Sequence, residues 1–162
     1  MMPLITSILA ITLSAGTSLV YATIGEIYTE RSGILNLGLE GMMLMGAVTA
    51  FATAYHTGSL FLAVLLAMLV GMILALIHAF LSITMHANQV VSGLSITLFG
   101  TGLASFMGQR LGPESNGFNL SGMSAVKFTR TQVEGIGEIP IIGAVFNQDP
   151  LTYIVYLLIP VA

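Results

Sequence analysis

Cysteine, tryptophan and charge are what this sequence has least of. Its 162 residues contain no cysteine and no tryptophan, with only four Lys or Arg and seven Asp or Glu. Without cysteine the chain can form no disulfide and carry out no thiol chemistry. Its formal net charge of −3 comes from so few residues that no nucleic-acid partner is implied. Only 7% of the residues are charged, whereas soluble domains carry about 25%, so a soluble globular domain is excluded.

Long apolar segments take the place of the missing charge. Hydrophobic residues make up 56% of the chain, and a helix needs about 20 of them in succession to cross a membrane. The apolar runs predict an all-α, polytopic membrane helix bundle, with residues 1–162 forming part of a single transmembrane domain. We expect four complete transmembrane helices and a partial fifth, near 3–24, 34–54, 60–85, 90–107 and 151–162, with a long polar loop over 108–150.

Small residues recur at helical spacing in the predicted spans. Every fourth residue of the third span is Ala or Gly, and the fourth span carries Gly, Ala and hydroxyl residues at similar spacing. Such stripes are typical of helices that pack closely together within a membrane. The pattern therefore predicts that Gly71 and Gly100 are buried against neighbouring helices.

Histidine and asparagine residues lie near the end of the third span and in the connection to the fourth. His78, Ser82 and His86 fall at i, i+4 and i+8, but two histidines at this spacing cannot form a metal site without further ligands. We therefore expect no metal there, and interpret the histidines as hydrogen-bonded or interfacial. Asn88 stands where it can cap the fourth helix.

The stretch from Gly25 to Gly46 (GEIYTERSGILNLGLEGMMLMG) concentrates polar residues between apolar segments. If a helix begins near Ile34, Asn36 and Glu40 share one face, and Glu40 lies roughly 9 Å along the helix. A carboxylate in hydrocarbon costs several kcal/mol, so it needs a partner, a wet cavity or a proton.

Glycines flank this carboxylate. Gly38 and Gly41 admit close backbone approach, as in the broken helices that line transport pathways. The candidate substrate-pathway residues are therefore Asn36, Glu40, Gly38 and Gly41. The alternative is that Glu40 lies near the membrane surface and only fixes the position of its helix.

Two blocks of this sequence resemble one family of transport proteins. GEIYTERSGILNLGLEGMMLMGA and HANQVVSGLSITLFGTGLASF are similar to the permease subunits of bacterial ABC importers, in the branched group that handles nucleosides and simple sugars. The segment IPIIGAVFNQDPLTY resembles the external loop before the fifth span of that group. The resemblance covers nearly the whole chain but only the N-terminal half of the relatives. His86 departs from it, because a basic residue is expected there in many relatives.

The resemblance implies a transport function without an enzymatic activity. It implies a permease for nucleosides or related small polar solutes such as sugars, multi-pass in the bacterial cytoplasmic (inner) membrane and surrounded by membrane lipid. The implied partners are a second permease subunit, cytoplasmic ATPase subunits and an extracytoplasmic substrate-binding lipoprotein. No catalytic residue and no cofactor is expected, since the chain has no P-loop pattern with which to bind ATP.

Two other classes remain open at the level of the sequence. A non-transporting membrane scaffold would use the polar stripes only to pack its helices. A lone ion channel is less favoured, because the chain has only one deeply placed carboxylate. A scaffold should tolerate substitution of Asn36 and Glu40, whereas a substrate pathway should not.

Overall fold

Helices form all the regular structure in the residues that the computed structural model describes, which are 2–110, 128 and 140–161. The α-helices are α1 Met2–Arg31, α2 Leu39–Thr57, α3 Leu60–Ala79, α4 Gln89–Arg110, α5 Pro140–Phe146 and α6 Pro150–Leu158. A π-helical turn over Phe80–Thr84 continues α3, and a 3₁₀ turn over Ile159–Val161 follows α6. The all-α prediction holds for this part of the chain.

In the part of the chain that the structure describes, three helices are long and apolar enough to cross a membrane. They cover Leu4–Arg31, Leu60–Thr84 and Gln89–Arg110. A membrane-spanning helical bundle therefore fits the chain. By length and composition α2 is not among these three, and α6 has nine residues. The predicted count of four complete spans with a partial fifth is thus not established.

The chain divides into two compact units, Thr29–Lys127 and Met1–Tyr28 with Phe128–Ala162. Within the first, short connections join the helices. Gly58, at φ 66°, ends α2, and its N–H donates to the Ala54 carbonyl. Ser59 then caps α3 by accepting from the Leu62 N–H. The side chain of Asn88 accepts from the N–H groups of Val90 and Val91, which confirms the predicted cap of α4.

Close backbone contact joins α4 to α2 and to the residues just before α2 within this unit. A Cβ built on Gly41 would lie 2.5 Å from the carbonyl oxygen of Ile96, and one on Gly93 would lie 2.8 Å from the backbone nitrogen of Leu37. Since a methyl group fits at neither place, glycine is required at both. A buried apolar cluster extends from this crossing and includes Met42, Met45, Leu74, Ile96 and Ala104.

The small-residue stripes account for this packing only in part. Gly100 is buried, and a Cβ on it would meet the Gly41 backbone within 3 Å, as predicted. Gly71 is only half-buried, and a Cβ there would have no atom within 4 Å. The predicted burial of Gly71 is therefore wrong. The packed face of α3 is instead defined by larger groups, Leu74 and His78, together with Ala63.

The other unit contains α1 up to Tyr28, α5 and α6. Hydroxyls tie α6 to α1: Tyr21 Oη donates to the Leu151 carbonyl at 2.7 Å, and Thr17 Oγ1 lies 3.2 Å from Thr152 Oγ1. Gln148, which is fully buried, donates through Nε2 to the Ala144 carbonyl at 2.6 Å. The Tyr21 and Thr17 contacts thus join α6 to α1, whereas the Gln148 contact is local to the end of α5.

Parts of the predicted loop over 108–150 are helical in the structure. Helix α4 continues to Arg110, and α5 occupies Pro140–Phe146. Pro140 does not oppose this helix because it is the first helical residue, where the missing N–H costs nothing. Residues 111–127 and 129–139 of the predicted loop lie outside the described residues.

Candidate functional site

A break in the helical structure lies between α1 and α2. The residues from Ser32 to Gly38 are not helical, and Gly33 adopts φ 82°. Helix α2 therefore begins at Leu39, five residues later than the predicted start near Ile34. The physical reason is that backbone N–H and C=O groups of this segment form hydrogen bonds with side chains of α3 and α4. In a helix, these groups would form hydrogen bonds with one another.

Backbone groups of this break bind side chains instead of helical partners. The Leu35 N–H donates to Gln89 Oε1 at 2.8 Å, and the Leu35 carbonyl lies 3.1 Å from His78 Nε2. Thr97 Oγ1 donates to the Leu37 carbonyl at 2.7 Å, and Gln89 Nε2 donates to that of Gly33 at 3.4 Å. Backbone N–H and C=O groups that are not paired within a helix need other hydrogen-bond partners. These contacts supply such partners for Gly33, Leu35 and Leu37.

His78 connects three segments of the chain. It lies in the last turn of α3 and is only 3% exposed. Its Nδ1 lies 3.0 Å from Ser92 Oγ in the first turn of α4, while its Nε2 faces the Leu35 carbonyl of the break. This is the hydrogen-bonded histidine that the sequence predicts. His86, eight residues later, is exposed, with φ 51°.

Three of the four predicted site residues lie together where the break meets α4. Asn36 is 8% exposed, and its Oδ1 accepts from the Gly38 N–H at 3.0 Å. A Cβ on Gly38 would lie 3.1 Å from that same Oδ1 and 3.1 Å from the Ile96 side chain. Gly41 meets the α4 backbone directly. All three residues therefore shape the crossing of α2 and α4.

Glu40 differs from the other three in its exposure to solvent. It is exposed in the first turn of α2, with Asn36 buried before the helix begins. The predicted i, i+4 helical face shared by Asn36 and Glu40 is therefore wrong, because Asn36 is not in the helix. A carboxylate in the first turn instead benefits from the unpaired N–H groups of the helix N-terminus.

A groove between α2 and α4 continues the face on which Glu40 lies. Leu44 and Ala47 follow Glu40 by four and seven residues, so the three share one side of α2. The groove has a volume of about 340 Å³ and is lined by Leu44, Ala47, Val48, Phe51, Thr101, Ala104 and Ser105. It is mostly apolar, with two hydroxyls and one aromatic ring. Ligand sites commonly combine an apolar wall with a few polar groups in this way.

Sequence reasoning missed the side chains that hold the break. The sequence carries no sign of their role beyond the small, hydroxylated face of α4. Gln89 and Thr97 contact the break directly, from 54 and 60 residues away. Ser92 acts through its hydrogen bond with His78. The available signal was the joint presence of Gly33 and Asn36, which favour turns over helix. Among the described residues, no three metal-ligating side chains come together.

The family model and the curated proteins that match this chain all describe permeases of transport systems. The family model described as "Branched-chain amino acid transport system / permease component" matches residues 7–159. A putative glucose ABC transporter permease of Haloferax volcanii is 38% identical over 153 residues, which is 93% of this chain and 44% of that protein. No solved structure matches the chain.

Two further relatives carry nucleoside names. A guanosine ABC transporter permease of Bacillus subtilis is 30% identical over 144 residues, covering 85% of this chain and 44% of that protein. A nucleoside ABC transporter permease of Lactococcus lactis is 30% identical over 97 residues, covering 56% of this chain and 31% of that protein. The chain thus spans less than half the length of these relatives.

Proposed function

Because the chain belongs to the family of branched-chain amino acid transport system permease components, we propose that it forms part of a permease subunit of an ATP-driven importer. Its proposed substrates are nucleosides or related small polar solutes such as sugars. The observation that carries the proposal is the family match over residues 7–159. Members of this family are transporter subunits and not enzymes. The family match does not favour the alternative of a non-transporting scaffold.

The proposed membrane organisation has four complete spans and a partial fifth. Helices α1, α3 with its π-helical turn, and α4 supply three of them. As the fourth we propose α2, whose 19 residues extend about 28 Å at 1.5 Å per residue, close to the thickness of the hydrocarbon core. Its packing between α3 and α4 supports this, since a helix enclosed by neighbours need not be uniformly apolar. The partial fifth begins with α6.

The proposed partners follow from the permease assignment. They are a second permease subunit, cytoplasmic ATPase subunits and an extracytoplasmic substrate-binding lipoprotein, assembled in the bacterial cytoplasmic membrane. The glucose and guanosine names of two relatives support the proposed solute class. Both solutes carry several hydroxyl groups, which pair with hydroxyl and carboxylate side chains.

The proposed substrate pathway follows the α2–α4 groove, with Glu40 at its head. Asn36, Gly38 and Gly41 would shape the pathway by setting how closely α2 approaches α4. Glu40 would contact the solute or its water directly, because its side chain is exposed and not engaged in packing. The hydroxyls of Thr101 and Ser105 and the ring of Phe51 lie along the same groove.

Substitution of Glu40 in the full-length permease tests this function. Glu40→Ala removes charge and hydrogen bonding, whereas Glu40→Gln removes only the charge. A hydrogen bond to a charged group contributes about 1.5–3 kcal/mol, so the Ala variant should lower uptake by roughly ten- to a hundredfold, with Gln in between. Uptake of radiolabelled guanosine and of glucose is measured in vesicles and normalised to assembled complex.

Glu30→Ala is the matched control, because Glu30 is also an exposed glutamate but lies at the end of α1. It should transport normally. Glu40→Ala removes only an exposed carboxylate at the helix N-terminus, so it should lower the stability of the protein by no more than about 1 kcal/mol. Normal uptake by Glu40→Ala would contradict the pathway role. Absence of uptake of either solute by the parent would contradict the proposed solute class.

A further inference from the structure

We propose that His78 is a positioning residue: it holds the backbone of the break so that the start of α2, and with it Glu40, keeps a fixed place. The value of this for transport rests on the proposed function. The hold itself follows from contacts within the unit Thr29–Lys127 and is tested separately below. His78 does not line the groove. Its hydrogen bonds go to Ser92 and to the Leu35 carbonyl, so its influence passes through the Leu35 backbone.

The backbone N–H and C=O groups of Leu35 are hydrogen-bonded to side chains from two different helices. Gln89, the first residue of α4, accepts from the Leu35 N–H, and His78, near the end of α3, lies against the Leu35 carbonyl. Two contacts on one residue fix the orientation of the peptide groups on either side of it. Leu35 can therefore not rotate or shift without breaking a hydrogen bond to α3 or to α4.

The chemistry of the histidine ring settles which atom donates. A carbonyl oxygen only accepts, so the ring nitrogen facing Leu35, Nε2, carries the hydrogen. In the neutral ring Nδ1 then accepts from the Ser92 hydroxyl at 3.0 Å. Loss of the ring would leave the part-buried Leu35 carbonyl and the buried Ser92 hydroxyl without these partners, and polar groups away from water are costly to leave unpaired.

The hold reaches Glu40 through a short, continuous chain of contacts. Asn36 directly follows Leu35, and its side chain accepts from the Gly38 N–H immediately before α2. The Leu37 carbonyl between them accepts from Thr97. The position of the Leu35 peptide is thus passed on to the first turn of α2, where Glu40 lies. A residue that merely filled space between α3 and α4 would not be coupled to this point.

Thiol labelling detects such a hold directly, since the 162 residues contain no cysteine to compete. The reporter is Leu37→Cys, at a side chain that is 40% exposed, in the full-length permease with any cysteine outside these residues replaced. A membrane-impermeant maleimide measures its labelling rate. A second reporter, Thr57→Cys at the far end of α2, is exposed and remote from the break.

Three variants are combined with each reporter. His78→Phe keeps a planar ring and removes both hydrogen bonds, whereas His78→Gln retains an N–H donor for the Leu35 carbonyl. Gln89→Met removes the opposite half of the hold. We expect His78→Phe to change the labelling rate at position 37 by about tenfold, equivalent to ~1.4 kcal/mol. His78→Gln should lie closer to the parent, and the rate at position 57 should not change.

The control is His56→Phe, the same substitution at an exposed histidine, which should leave position 37 unaffected. An unchanged rate at position 37 in His78→Phe would overturn the proposal, as would equal changes at positions 37 and 57, which indicate general loosening. If His78→Phe does not assemble, Gln89→Met decides by the same criteria, because it frees the same residue, Leu35.

Uptake by the same variants separates this inference from the proposed function. Guanosine and glucose uptake should fall in the order of the labelling changes, with His78→Gln better than His78→Phe. If the labelling rate changes in His78→Phe but the parent takes up neither solute, the inference that His78 holds the Leu35 backbone is supported and the proposed function is contradicted. Normal uptake together with an altered labelling rate would overturn the positioning role of His78.

Discussion

Gly41 and Gly100 meet backbone to backbone where α2 crosses α4. A Cβ built on Gly100 would lie 2.6 Å from the carbonyl oxygen of Gly41 and 2.8 Å from its Cα. Real Cβ atoms do not approach backbone this closely, and neither partner can yield as the end of a flexible side chain would. The separation of the two helices is therefore set by the absence of side chains at these two positions.

Gly100→Ala should force α2 and α4 apart. Overpacking of a close contact costs about 1–3 kcal/mol, so the variant should melt at a lower temperature than the parent and assemble poorly. Thermal stability of the detergent-solubilised, full-length permease, followed by size-exclusion chromatography, measures the effect.

Gly102→Ala on the same helix is the control. A Cβ at Gly102 would have no atom within 4 Å, and alanine favours helix over glycine by up to about 1 kcal/mol. This variant should therefore be as stable as the parent or more so. If Gly100→Ala proved as stable as Gly102→Ala, α2 and α4 would not be in backbone contact at this crossing.

Helix α3 and most of α4 could be predicted from the sequence because each is a long, largely apolar run limited by a cap or a glycine. The extension of α1 to Arg31, the start of α2 at Leu39 and the short helix α5 do not follow from such runs. The bounds of α3 with its π-helical turn, and the cap at Asn88, follow from local residues in this way. The contact at Gly100 was also accessible, since a small residue at helical spacing in a membrane span favours close packing.

The break before α2, and the difference in exposure between Asn36 and Glu40, could not be predicted in the same way. Ile34, Leu35 and Leu37 are apolar and compatible with helix. Hydrogen bonding to His78, Gln89 and Thr97 keeps this segment non-helical. These contacts join residues 43 to 60 positions apart in the chain. Local pattern cannot show them, so Asn36 and Glu40 were assigned to one helical face that does not exist.

Asn36 and Asn88 offer a comparison between a buried and an exposed asparagine with the same local role. Asn36 accepts from the Gly38 N–H inside the protein, whereas Asn88 accepts from two N–H groups at the exposed start of α4. Loss of a buried partner costs about 1–3 kcal/mol, but water can replace an exposed cap, whose loss costs typically about 1 kcal/mol. Asn36→Ala should therefore be the more destabilising substitution.

Melting temperatures of both Ala variants of the full-length permease, purified side by side, provide the measurement. A larger loss for Asn88→Ala than for Asn36→Ala would show that water reaches the Gly38 N–H. The break would then be hydrated, not enclosed by protein.

Ser82 and Ser92 form a second pair with equal burial and different bonding. They are 7% and 6% exposed. Ser92 Oγ lies 3.0 Å from His78 Nδ1, whereas Ser82 Oγ, in the π-helical turn, has no hydrogen-bond partner among the described residues. Because a hydroxyl without a partner disfavours burial, Ser82→Ala should be neutral or stabilise the protein by up to about 1 kcal/mol. Ser92→Ala should destabilise it by about 1–3 kcal/mol, since it removes a bonded group from His78.

Both variants carry the same Ser→Ala substitution. Any change in melting temperature that alanine causes by itself therefore cancels when the two variants are compared. Melting temperatures of the full-length permease should place Ser92→Ala below the parent and Ser82→Ala at or above it. Uptake by Ser82→Ala should be normal, because Ser82 neither holds the break nor lines the groove. A clear loss of stability in Ser82→Ala would mean that its hydroxyl is bonded in the membrane. The π-helical turn would then carry a polar contact that its apolar neighbours do not suggest.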